Sequence, residues 1–247
     1  MLTFNALGIS PNLLKVTEEL GFNKPTPIQE KIIPLVCETK DDLVGLAQTG
    51  TGKTAAFGLP IIEQIDTSDK SVQALILAPT RELCIQLTKD LQNYSKYITG
   101  LEVVPVYGGA NIQTQIKALK KGAHIIVATP GRMLDLMKRK AANINQVRTV
   151  VLDEADEMLN MGFRDELDGI LEKTPDDKRT LLFSATMPRE VARIAKNYMD
   201  KPVQITIGKQ NKINRELRIY PNPADDFITI QLANEMVGKG NVRIYDL

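Results

Sequence analysis

Residues 43–65 constrain the fold more than any other stretch. An apolar run, Leu43–Ala47, leads into Gln48-Thr49-Gly50-Thr51-Gly52-Lys53-Thr54, and a helical pattern, Thr54–Ile65, follows at once. Glycines between a strand and a helix let backbone N–H groups close on phosphate oxygens, and the helix N-terminus adds the positive end of its dipole. Lys53 is placed to reach the β- and γ-phosphates of a nucleotide, and the Thr54 hydroxyl to bind Mg²⁺. The general pattern opens on glycine, where Ala47 stands here.

Further apolar runs repeat the strand–helix rhythm: Ala74–Ala78, Val103–Tyr107, Ile125–Thr129, Thr149–Asp153, Thr180–Ser184 and Val203–Ile207. Most lack polar alternation, as strands buried on both faces do. Helical stretches such as Arg81–Tyr94, Ile112–Lys120 and Arg189–Met199 separate them. The implied fold class is α/β, a doubly wound, mostly parallel sheet with its site at the carboxyl ends of the strands. One such end is Val150-Val151-Leu152-Asp153-Glu154-Ala155-Asp156. Beside a phosphate loop, Asp153 suits the Mg²⁺ shell and Glu154 suits a residue that orients and polarises an attacking water.

The pattern changes near Lys209. Residues 209–217 read as a linker after a domain over 1–208, and Ile219-Tyr220-Pro221-Asn222-Pro223 reads as a turn. Phe227–Leu232 and Val242–Tyr245 alternate as the strands of a β-hairpin-like appendage, making 218–247 a partial β-rich tail. At 247 residues the chain suits one domain plus an appendage, not two large lobes. It has no apolar run of about 18 residues and no visible secretory signal, so no membrane partner is expected. Cys37 and Cys84 are too few for a disulfide framework, and a reduced, cytoplasmic setting without disulfides is expected. His124 opens an apolar strand and reads as structural rather than as a ligand.

Asp153-Glu154-Ala155-Asp156 spells a DEAD box, and the chain over about residues 2–208 resembles a DEAD-box ATP-dependent RNA helicase, in its N-terminal RecA-like P-loop NTPase lobe. Gly21-Phe22-Asn23-Lys24-Pro25-Thr26-Pro27-Ile28-Gln29 resembles the Q motif, with Phe4 at the place of its upstream aromatic. Pro79-Thr80-Arg81-Glu82-Leu83 resembles motif Ia, Gly108-Gly109 the paired glycines, Thr129-Pro130-Gly131-Arg132 motif Ib, and Ser184-Ala185-Thr186 motif III. The family accepts alanine at the first loop position. The resemblance implies ATP and Mg²⁺ as cofactors, with Gln29 reading the adenine edge, Phe4 stacking on the base and Thr26 assisting. Gln48 through Thr54 would cradle the phosphates, and Lys53, Asp153 and Glu154 would be catalytic. Pro79, Thr80, Arg81, Gly108, Gly109, Thr129, Pro130, Gly131 and Arg132 would meet RNA phosphates without reading bases. Asp156, Ser184 and Thr186 would couple the two sites. The plainer alternatives are a hydrophobic staple for Phe4, a helix-surface amide for Gln29, and ordinary surface arginines for Arg81 and Arg132. Lys+Arg 31 against Asp+Glu 30 leaves a net charge of +1, which suits a narrow phosphate track rather than a polybasic surface.

Family helicases carry a second RecA-like lobe, whose arginines stabilise charge on the γ-phosphate. No His-Arg-x-Gly-Arg-x-x-Arg or Ala-Arg-Gly-x-Asp follows Gly208. The expectation is that these residues bind ATP–Mg²⁺ with little hydrolysis and no unwinding. The alternative is a non-catalytic ATP- or RNA-binding module from a truncated or fused gene. The tail resembles the start of a C-terminal sorting domain of type IX secretion cargo. With no visible signal peptide, a composite or truncated frame or a fusion is expected rather than a working secretion tag.

Overall fold

The computed structural model describes residues 3–207, 218–220 and 229–231. Met1–Gly208 and Lys209–Leu247 are separate compact units. In the first, a 3₁₀ turn (Phe4–Leu7) precedes α1 (Pro11–Glu19) and α2 (Pro27–Glu38). Strands and helices then alternate: β1 (Leu43–Leu46), α3 (Lys53–Glu63), β2 (Ala74–Leu77), α4 (Arg81–Tyr94), β3 (Val103–Val106), α5 (Ile112–Lys121) and β4 (Ile125–Ala128). They continue as α6 (Pro130–Lys138), β5 (Thr149–Leu152), α7 (Ala155–Asn160), α8 (Arg164–Leu171), β6 (Arg179–Ser184), α9 (Arg189–Tyr198) and β7 (Val203–Thr206).

Among the described residues these strands form one sheet in the order β3-β4-β2-β5-β6-β1-β7, every neighbouring pair parallel. The expected mostly parallel sheet is wholly parallel in this unit. Successive side chains of a strand point to opposite faces, and here both faces are buried. Leu43, Ile76, Ile125, Val151 and Leu181 join a core with α2, α3 and α4. Val44, Leu75, Ile126, Val150 and Leu182 join a second core with α6, α8 and α9. Each fully buried Leu, Ile or Val contributes about 1.5–3 kcal/mol, so the apolar runs favour burial on both sides rather than an exposed face.

Glycine at 45 has a packing reason. Gly45 pairs with Phe183 across β1 and β6, and a Cβ on it would lie 2.7 Å from the Phe183 ring. The two thiols are unpaired, Cys37 half-buried and Cys84 buried, and burial pushes them up to about 11 and about 12. His124 is a structural residue: its Nδ1 accepts the Glu102 N–H at 3.0 Å and the ring is 3% exposed.

In the second unit, β8 (Arg218–Tyr220) pairs antiparallel with β9 (Thr229–Gln231), Ile219 opposite Ile230. This corrects the turn expected at Ile219-Tyr220: a β-branched and an aromatic residue favour a strand, and Pro221, which lacks an N–H, comes only after it. The second strand expected at Val242–Tyr245 and the linker at 209–217 lie outside the described residues.

Candidate functional site: a phosphate loop and a basic edge

The carboxyl ends of the parallel strands lie along one edge of the sheet. β1 delivers the phosphate loop there. Gly50 (φ 79°) and Gly52 (φ 92°) both take the left-handed backbone that glycine adopts without strain. Gly52 caps α3, whose first residue is Lys53. Gln48, Thr49 and Gly50 are exposed, and the Thr51 hydroxyl donates to Gln48 O at 2.8 Å. The Lys53 side chain is buried. Its Nζ donates to Ala47 O at 3.3 Å and stands 3.9 Å from Asp153 Oδ1. Thr54 follows, half-buried.

Asp153 leaves the end of β5 and is 3% exposed. Burial pushes its carboxyl up to about 6, against the opposing pull of the Lys53 ammonium. The next residue, Glu154, has φ 53° and ψ 51°. A non-glycine residue held left-handed carries roughly 1–2 kcal/mol of strain, and such strain gathers at working sites. The Glu154 N–H donates to Asp153 Oδ1 at 3.1 Å. Asp156, one helical step on in α7, accepts from the Thr186 N–H (3.0 Å) and the Thr186 hydroxyl (2.7 Å). Burial works to raise the Asp156 carboxyl, but hydrogen bonds from Thr186 and Ser184 outweigh it and hold the group below the usual carboxylate range. The Ser184 hydroxyl donates to Thr186 O at 2.6 Å, so the turn after β6 is tied to itself and to α7.

Thr26 and Gln29 open α2 beside the loop. Gln29 Oε1 accepts the Thr26 N–H (2.9 Å) and its Nε2 donates to Gly52 O (3.1 Å). One N–H and one lone pair of that amide remain for a ligand edge. Thr26 Oγ1 is buried without a protein partner, and a Cβ on Gly52 would stand 3.0 Å from it and 2.6 Å from Gln29 Nε2. An orphaned buried hydroxyl, left-handed glycines and a buried ammonium beside a buried carboxylate together suit a nucleotide phosphate. Phe4 is 5% exposed and stacks on Phe22 at 6.2 Å between ring centroids, with Phe22 edge-on to Tyr94. The structure therefore sets Phe4 in an aromatic cluster.

The residues expected to meet RNA gather at the ends of β2, β3 and β4, which are neighbours in the sheet. Pro79 is buried, and Thr80 caps α4 by accepting the Leu83 N–H on its hydroxyl at 3.2 Å. The exposed Arg81 guanidinium stands 5.1 Å from the Tyr107 ring. Gly108 and Gly109 are exposed; Gly109 has φ 79°, and its Cβ position lies 3.3 Å from Arg81 Nη1. Thr129 and Pro130 are buried, and the Thr129 N–H is already committed to Val106 O at 2.9 Å. Gly131 and Arg132 follow in the first turn of α6. Arg132 Nη1 donates to Ala110 O and to Gln115 Oε1, both at 3.2 Å. Sequence reasoning missed Tyr107 and Gln115. Gln115 left one trace, an amide on the apolar stripe of Ile112, Ile116 and Leu119.

A wholly parallel α/β sheet with a phosphate loop after one strand and a buried acid after another defines a RecA-like P-loop lobe. The family model described as DEAD/DEAH box helicase matches residues 26–194. A DEAD-box ATP-dependent RNA helicase CshA of Streptococcus pneumoniae serotype 4 is 52% identical over 205 residues, 83% of this chain and 39% of that protein. CshA of Geobacillus kaustophilus is 50% identical over 207 residues, 84% of this chain and 44% of that protein. A solved DEAD box protein from the hyperthermophile Methanococcus jannaschii superposes with a TM-score of 0.81 at 45% identity, over 88% of this chain and 58% of that one. The chain belongs to the DEAD/DEAH box helicase family, and it spans about two-fifths of the length of these curated relatives. A second model, the secretion system C-terminal sorting domain, matches residues 218–247. Among the described residues no helix is long and apolar enough to cross a membrane.

Proposed function

We propose that residues 1–208 form the ATP- and RNA-binding lobe of an ATP-dependent RNA helicase working in the cytoplasm, and that these 247 residues alone bind ATP–Mg²⁺ and RNA with little hydrolysis and no unwinding. One observation carries the reading. Lys53, Asp153, Thr26 and Gln29 converge on the phosphate loop, while Arg81, Gly109 and Arg132 gather along the same sheet edge. When bound with the nucleotide, Mg²⁺ held by Thr54 and Asp153 would neutralise charge on the phosphate oxygens. Lys53 would bind the β- and γ-phosphates, and the free half of the Gln29 amide would meet the base. Glu154 would orient the attacking water and accept its proton. Thr186, bonded to Asp156, and Ser184, bonded to Thr186, would link nucleotide state to the RNA edge. In nucleoside triphosphatases an arginine supplied to the γ-phosphate is worth about 10³–10⁵ in rate, and in this reading the second lobe supplies it.

The test is equilibrium binding of a fluorescent ATP analogue with Mg²⁺, then ATPase and duplex unwinding with and without RNA. The chain is compared with a version carrying an appended second lobe. Analogue binding abolished by Lys53→Ala, with RNA-stimulated unwinding only in the extended version, is expected. Robust unwinding by the 247-residue chain would overturn the reading.

A further inference from the structure

Gln115 lies on the inner face of α5 and is 6% exposed. A buried amide must have its donors and acceptors met, since an unmet one loses its hydration without return. Gln115 Nε2 donates to Tyr107 O at 2.9 Å, and its Oε1 accepts from Arg132 Nη1 at 3.2 Å. The same Nη1 donates to Ala110 O at 3.2 Å. One side chain thus ties the exit of β3, the paired-glycine loop and the first turn of α6 into a single network. The Tyr107 whose carbonyl takes this bond also sets its ring 5.1 Å from the Arg81 guanidinium.

The bonds to Ala110 and Gln115 use both protons of Arg132 Nη1. Among the described residues, its Nη2 and Nε meet no protein acceptor. A guanidinium fixed at one nitrogen presents the others as a pre-oriented fork, the arrangement that suits phosphate. Held so, the side chain also loses less rotamer freedom when it binds.

We infer that Gln115 is a positioning residue for RNA-phosphate binding, acting through Arg132 and the Tyr107–Ala110 segment; this rests on the reading that Arg132 meets RNA. The test uses the full 247-residue chain with Mg²⁺, a non-hydrolysable ATP analogue and a labelled single-stranded RNA oligonucleotide, titrated over a range of salt. Arg132→Met should weaken RNA binding and reduce the slope of log Kd against log salt by about 0.7, one phosphate contact on a single strand. Gln115→Met should weaken RNA binding about 3–10-fold, the effect of one lost hydrogen bond, with analogue affinity kept within about twofold. Gln115→Asn, too short to reach both partners, should do the same. In the Arg132→Met background, Gln115→Met should add little, because residues that act through one another are not additive.

Three outcomes would overturn the proposal. The first is Gln115→Met leaving RNA affinity unchanged while Arg132→Met weakens it. The second is full additivity of the two changes. The third is analogue and RNA affinity falling together in both Gln115 variants. An Arg132→Met chain that binds RNA as the parent does would overturn the RNA reading beneath it as well.

Discussion

Gly52→Ala should destabilise the phosphate loop through its neighbours as well as through its own backbone. Gly52 sits at φ 92° and ψ 22°, where an alanine carries roughly 1–2 kcal/mol of strain. Its new Cβ would meet Gln29 Nε2 at 2.6 Å and Thr26 Oγ1 at 3.0 Å. Gln29 has little room to yield, because it is 5% exposed and its Oε1 already takes the Thr26 N–H. Overpacking of a buried site costs about 1–3 kcal/mol, and losing the Gln29–Gly52 hydrogen bond about 1 kcal/mol more. Together these give about 3–6 kcal/mol. Gly50→Ala is the internal control: φ is 79°, but nothing lies within 4 Å of the added Cβ. It should lose only the strain, about 1–2 kcal/mol. Urea unfolding of both variants measures the difference. Gln29→Ala placed on Gly52→Ala should recover part of the loss, with a coupling of about 0.5–3 kcal/mol. Equal destabilisation by the two glycine substitutions, or zero coupling to Gln29, would refute the packing explanation.

Two further outcomes follow from the same kind of contact. Gly45→Ala should lower stability by about 1–3 kcal/mol, since its Cβ would lie 2.7 Å from the buried Phe183 ring; Phe183→Leu should recover much of this in urea unfolding. Thr186→Val should cost up to about 1 kcal/mol near neutral pH, and progressively less as acid protonates Asp156. The Asp156 carboxyl is held below its unfolded value, so its contribution is complete above that value and lost as pH falls through the folded one. A pH-independent difference in melting would show that Thr186 does not act on Asp156.

The sheet was legible because burial on both faces leaves a plain mark: runs such as Ile125–Ala128 and Thr149–Leu152 have no polar member except Thr149. The runs read about one residue long because the residue after each strand, Ala47 or Ala78, is still buried. The helices were harder. α7 spans only Ala155–Asn160, too short to show a 3.6-residue period, and α2 contains Pro34, a residue that sequence rules place at helix ends. In the site, Gly50 and Gly52 take the left-handed backbone, and Lys53 stands 3.9 Å from Asp153, residues that local spelling alone singles out. Gln115 and Tyr107 act through backbone carbonyls, a guanidinium and a ring that lie elsewhere in the chain, and no local pattern encodes such partners.

Strand order explains why the turn after β6 matters to the nucleotide site. The phosphate loop leaves β1 and Asp153 leaves β5, yet β6 lies between them in the sheet. Lys53 and Asp153 therefore come within 3.9 Å only by reaching across the end of that strand. Leu46 pairs with Ser184 and Leu152 with Leu182, so Ser184 is level with the entry to the loop and runs two residues beyond the last paired residue of β5. Ser184 has no exposed surface. Thr186 follows two residues on and bonds Asp156. The turn that leaves the strand between the ammonium and the acid thus fastens the first turn of α7, which begins two residues after Asp153, so a shift in either must be felt by the other.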